Sequence, residues 1–128
     1  MNLDLIELQK GVKSTAVILY GEEFRQLTGV VLMNANVSNK FLYNIPYGKP
    51  VFKESLEDKA KRKDICYLVI KDLDLVDGET QNRFIGLVKD REFGGYTLPN
   101  NCVVIFTVND VSSLRNLTDD IYQFCIVA

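Results

Sequence analysis

Lys71, Asp72 and Asp74 follow directly on the apolar run Tyr67-Leu68-Val69-Ile70, and Asn109 follows directly on Val103 to Val108. Carboxylates at the end of a buried strand are hard oxygen ligands for magnesium and can orient an attacking water. An amide at the end of a neighbouring strand can position that water or a phosphate. With Asp77 the acidic set has three members at near-alternate positions, a spacing that can hold magnesium. The same set reads equally as the N-terminal cap region of a helix. Lys71 sits at the head of the set, where a cation repels a metal.

Other chemistries are excluded by composition. The 128 residues contain no histidine, so Ser-His and Cys-His catalysis and any histidine metal site are absent. The three cysteines, Cys66, Cys102 and Cys125, each lie in an apolar run and form no C-x-x-C pair. They read as buried free thiols of a reducing compartment. A net charge of −2 sets up no basic field for nucleic acid. No stretch approaches the roughly 18–20 apolar residues of a membrane span, and the first residues lack the pattern of a signal peptide. The expectation is a cytoplasmic chain with no nucleic-acid partner, no membrane and no metal.

These residues need elements to position them. Ala16 to Tyr20, Val30 to Met33, Ile65 to Ile70, Val103 to Val108 and Phe124 to Val127 are short continuous apolar runs, the pattern of strands buried on both faces. Between them, Phe52 to Arg62 has Phe52, Leu56 and Ala60 at i, i+4 and i+8, and Glu57/Lys61 and Asp58/Arg62 as oriented ion pairs. Asp77 is placed to cap a helix whose core stripe is Phe84, Ile85, Leu87 and Val88. Leu3 to Gln9 reads as a short helix or arm, and Glu22 to Leu27 as a short helix stopped by Gly29. Lys40 to Val51 is irregular, and Gly94-Gly95 and Pro99-Asn100-Asn101 bracket a loop carrying Phe93 and Tyr96. The alternation predicts an α/β fold: a single domain over 1–128 with a parallel sheet of about five strands and helices on both faces. Its strands lie near 15–20, 30–34, 65–71, 102–108 and 124–127, the first of them between the last two. Ligands of such sheets sit beyond the carboxyl ends of the strands, which here carry Gly21, Asn34, Lys71 to Asp74, and Asn109.

The segment Ile65 to Asn109 resembles the stretch from Walker B to sensor 1 of AAA+ ATPases, which are P-loop NTPases. The resemblance implies a three-layer P-loop-NTPase-like sheet. It places Asp72 where the water-orienting Glu stands, Lys71 where the magnesium-associated Asp stands, and Asn109 at sensor 1. A one-residue shift makes Asp72 the metal-binding residue and leaves Leu73 as the water-orienting one. After the first strand, where the family keeps its phosphate loop, come Gly21-Glu22-Glu23-Phe24-Arg25, with one glycine, no Lys and two carboxylates. The string Gly11-Val12-Lys13-Ser14-Thr15 matches GxKST but precedes that strand. Gln123-Phe124 stands where the family's Arg-Phe pair enters the last strand, and the chain stops at Ala128 without the family's helical lid.

Four departures at four functional positions imply that the scaffold is kept without the catalysis. The leading expectation is therefore a catalytically inactive AAA+-like domain serving as an interaction or regulatory module, possible in a phage or mobile element. It has no cofactor, and its partner is another protein or a second copy. Asp72, Asp74 and Asn109 are its vestigial catalytic candidates. Gly21, Lys71, Asp72 and Asn109 are the candidates for lining a nucleotide crevice. Tyr47 and Tyr96, with Lys49 and Arg91 at the rim, are the expected interaction residues, since aromatics beside cations are enriched at binding hot spots. The alternative is a nucleotide-binding protein or weak NTPase that takes ATP with magnesium through a noncanonical phosphate loop. A third reading is an unrelated small α/β enzyme using Asp72, Asp74 and Asp77 as a metal site.

Overall fold

A computed structural model of the chain describes residues 15–43 and 52–127. The expected arm at Leu3 to Gln9, and Tyr47 and Lys49, lie outside the described residues. The described residues form seven strands: β1 (Ala16–Tyr20), β2 (Val30–Asn34), β3 (Cys66–Lys71), β4 (Glu92–Phe93), β5 (Tyr96–Thr97), β6 (Cys102–Val108) and β7 (Cys125–Val127). Among the described residues, five short α-helices accompany them: α1 (Asn39–Tyr43), α2 (Lys53–Arg62), α3 (Gly78–Asn82), α4 (Ile85–Lys89) and α5 (Asp119–Tyr122).

Five strands form one sheet in the order β2-β3-β6-β1-β7, and every pairing in it is parallel. The apolar runs account for this. β6 is buried at all seven positions, and β1 at its first four, as strands covered on both faces must be. The first strand lies between β6 and β7, as expected from the run pattern. Its register pairs Val17 with Ile105 and with Ile126.

The two faces differ. Ile18, Leu68, Ile70, Val104 and Phe106 point to one side, where they pack with Leu42 of α1, Leu56 of α2, Leu87 and Val88 of α4, and Ile121 of α5. Val17, Leu19, Val69, Val103 and Ile105 point to the other and pack with Phe24. Phe24 belongs to a single 3-10 turn, Glu23–Gln26, where the sequence suggested a short helix. Nine residues separate β1 from β2, too few for a full helix and two turns.

Several local readings are met. α2 buries Phe52 at its N-terminus and Leu56 at its centre, with Asp58 and Arg62 paired on its exposed side. Asp77 caps α3 by accepting a hydrogen bond from the Thr80 N–H at 2.8 Å. The expected continuous helix after Asp77 is instead broken into α3 and α4. Gln81, 1% exposed, sits before the break and bonds outward to three backbone groups. The Phe93 to Tyr96 loop is a small antiparallel hairpin, β4 with β5. Gly94 and Gly95 turn it at φ of +57° and +84°, the backbone of a two-residue hairpin turn that side chains resist. No helix among the described residues is long and apolar enough to cross a membrane.

Candidate functional site

The carboxyl ends of β1, β3 and β6 bring together Gly21, Lys71, Asp72, Asp74 and Asn109. Gly21 leaves β1 at φ +54° while its N–H donates to the Val108 carbonyl at 2.8 Å. That conformation points the chain back across the sheet and sets Glu22 over the end of β3. Glu22 Oε1 accepts from Lys71 Nζ at 2.7 Å, and Glu22 Oε2 accepts from Arg25 Nε at 2.7 Å. One carboxylate therefore holds Lys71 and Arg25 together. The Lys71 ammonium, and secondarily Arg25, keep the Glu22 carboxyl below the ordinary value of 4.5. The Lys71 side chain is 27% exposed, so the pair is partly withdrawn from water.

Asp72 turns away from this pair. It adopts left-handed backbone, φ +63° and ψ +42°, at the start of the 3-10 turn Leu73–Leu75. Its N–H donates to the buried Thr107 Oγ1 at 3.0 Å, and its Oδ2 accepts from Asn34 Nδ2 at 3.3 Å. Its carboxylate is thus engaged toward the β2 side of the sheet, away from the β1 turn. Asp74 is 9% exposed; Oδ2 accepts from the Asn109 N–H at 3.4 Å, while Oδ1 is buried without a hydrogen bond.

Asn109 is exposed, and its carboxamide donates to Asp110 Oδ2 at 3.2 Å. Its backbone, not its side chain, is what joins it to Asp74. Asp110 in turn caps the 3-10 turn Val111–Asn116, accepting from Ser112 Oγ and from the N–H and Oγ of Ser113. Those hydrogen bonds, Ser112's first, hold its carboxyl below the usual range. Among the described residues no three acidic or thiol side chains converge to hold a metal ion. Asp72, Asp74 and Asp77 in particular face three different sets of partners, because Asp77 is spent on the α3 cap.

Of the expected interaction residues, Arg91 and Tyr96 lie toward the opposite, amino end of the sheet. Arg91, at φ +55°, donates from Nη2 to the carbonyls of Pro99 and Cys102, both at 2.8 Å. It ties the hairpin to the start of β6. The Tyr96 ring packs 6.1 Å from Phe52, with the Lys53 ammonium 5.7 Å from its centre. Its hydroxyl is buried without a hydrogen bond, and burial, aided by Glu57, pushes its pKa to about 12. Both residues therefore serve contacts within the chain.

Gln123 donates to the Asp120 carbonyl at 3.0 Å, and the Phe124 carbonyl accepts from the Ala16 N–H at 2.9 Å, the contact that starts the β1-β7 pairing. Thr107 and Asp110 were not singled out as site residues by sequence. Thr107 is the one polar residue inside the apolar β6 run, and that was a usable signal. No protein-family model matches the chain, and no curated protein matches it.

Proposed function

We propose that this chain is a catalytically inactive AAA+-like domain that works as a protein-interaction or regulatory module. The observation that carries the proposal is the Glu22–Lys71 ion pair. Nucleotide chemistry on such a scaffold needs N–H groups and a cation after the first strand, and a carboxylate for magnesium at the end of the Walker B strand. Here the signs are exchanged, with a carboxylate after β1 and a cation at the end of β3. The two neutralise each other. A magnesium-nucleotide would have to break this pair and would then place its phosphates beside Glu22. The interior position of β1, between β6 and β7, and the parallel order of the sheet support the scaffold half of the reading.

The interaction half draws on two exposed aliphatic side chains at the same edge. Leu75 is 74% exposed and Val111 67% exposed. They stand on the 3-10 turns that follow β3 and β6, and these turns pack on each other. Neighbouring exposed aliphatics beside a polar rim are what a protein contact uses.

The test is a calorimetric titration of the chain with magnesium-ATP, paired with a turnover assay. No binding heat and no turnover are expected. Turnover that disappears in a folded Asp72→Asn variant would establish the weak-NTPase alternative in its place.

A further inference from the structure

Cys66 opens β3 and Cys102 opens β6, and the two are direct partners in the register of these adjacent parallel strands. Both side chains lie on the same face of the sheet, in one apolar cluster, 0% and 3% exposed. Neighbouring strands lie about 4.8 Å apart, inside the roughly 4.4–6.8 Å separation of Cα atoms that a disulfide bridges. Cys66 Sγ donates to the Asn101 carbonyl at 3.8 Å and Cys102 Sγ to the Val103 carbonyl at 3.9 Å. Arg91 holds the Cys102 carbonyl and brings positive charge close to both sulfurs. Cys125 stands apart on β7, beyond β1, donating to the Ile121 carbonyl at 3.3 Å.

We propose that Cys66 and Cys102 form a dithiol modification site that hydrogen peroxide converts to a reversible disulfide across β3 and β6. The Cys66 thiolate attacks one peroxide oxygen. An S–O bond forms, the O–O bond breaks, and hydroxide leaves to become water with the thiol's proton. The Cys102 sulfur then attacks the sulfenic sulfur of Cys66. The S–S bond forms, the S–O bond breaks, and the departing hydroxide takes the Cys102 proton as a second water. Two thiols and one peroxide yield one disulfide and two waters.

Cys66 is the attacking sulfur because the neighbouring Cys102 thiol, then the charge of Arg91, hold its thiol below the ordinary range, while that of Cys102 is pushed up. Each residue is the first of its strand, beside the Lys63 to Ile65 turn or the Pro99 to Asn101 turn. A small oxidant needs only local opening there. Same-face neighbours on parallel strands keep their Cβ atoms near the strand spacing, slightly wider than the roughly 3.5–4.5 Å of relaxed disulfides. The bond is therefore strained, and strained disulfides are readily reduced.

The experiment treats the reduced full-length chain with hydrogen peroxide, removes the oxidant with catalase, then denatures and alkylates. One alkylatable thiol is expected in place of three, with a cross-linked peptide joining Cys66 to Cys102 and all thiols restored by dithiothreitol. The Cys125→Ser variant should keep the cross-link and leave no free thiol. The Cys102→Ala variant should accumulate a sulfenic acid at Cys66 that dimedone traps. Three outcomes would overturn the proposal. The native chain could retain every thiol at a dose that oxidises it in urea. The cross-link could involve Cys125. Or Cys66 could reach the sulfinic state while Cys102 stays alkylatable.

Discussion

The ammonium of Lys71 lies 2.7 Å from Oε1 of Glu22, although 49 residues separate them in sequence. Gly21 makes this possible by turning the chain at positive φ as it leaves β1. Because Arg25 shares the same carboxylate, a single substitution at Glu22 removes the ion pairs of both Lys71 and Arg25.

The Glu22 carboxyl should titrate below 4.5, and Lys71→Met should move it back toward 4.5, as followed by side-chain carboxyl chemical shifts. The sign for stability follows from the lowered pKa. The pair contributes above the unfolded value and is lost as pH falls through the lower folded one. The effect on melting temperature at neutral pH should be small and should shrink further in salt, since half of the pair is exposed. An unchanged Glu22 titration in Lys71→Met would show that the contact is not formed in solution.

Gln81→Ala should be among the costliest polar substitutions in the chain. Its Nε2 donates to the carbonyls of Val76 and Asn116 at 3.0 and 2.8 Å, and its Oε1 accepts from the Thr118 N–H at 2.8 Å. Removing it leaves three backbone groups without their partner in a buried place. At about 1–3 kcal/mol per buried unsatisfied group, a total loss of at least roughly 3 kcal/mol in urea unfolding is expected. A loss within the error of a surface mutation would mean that water replaces the amide.

Asp72→Gly should leave stability unchanged or raise it by up to about 1 kcal/mol, because glycine takes the left-handed backbone without the Cβ penalty. Asp72→Ala should be the less stable of the two by about 1 kcal/mol, again because of that penalty. The reverse order in denaturant midpoints would show that the Asn34 contact outweighs the backbone strain.

Tyr96 separates ring from hydroxyl. Tyr96→Phe removes a buried hydroxyl that makes no hydrogen bond and should be neutral or slightly stabilising. Tyr96→Ala loses the ring's packing on Phe52 and should cost about 2–3 kcal/mol. Tyrosinate absorbance should show one tyrosine titrating near 12 that is missing in Tyr96→Phe. A raised pKa on an acid stabilises the neutral form. Its contribution is thus intact below the ordinary value of 10.0 and lost as pH rises through about 12. A small cost for Tyr96→Ala, with partner binding lost, would return the residue to the interaction surface.

The sequence by itself determined the five strands, the capping by Asp77 and the amphipathic helix after Phe52. These rest on short-range features: a continuous apolar run demands two covered faces, and a cap is set by residues three apart. The tertiary structure alone decided which strand-end residues meet. Glu22 with Lys71, Asp72 with Thr107, and Cys66 with Cys102 are pairs at least 35 residues apart or direct partners across two strands. Register and turn conformation create them, and a run of apolar residues carries no mark of either. Asn109 makes the same point. Its position at the end of β6 was legible, but the direction of its side chain, toward Asp110, depended on how the next turn was capped.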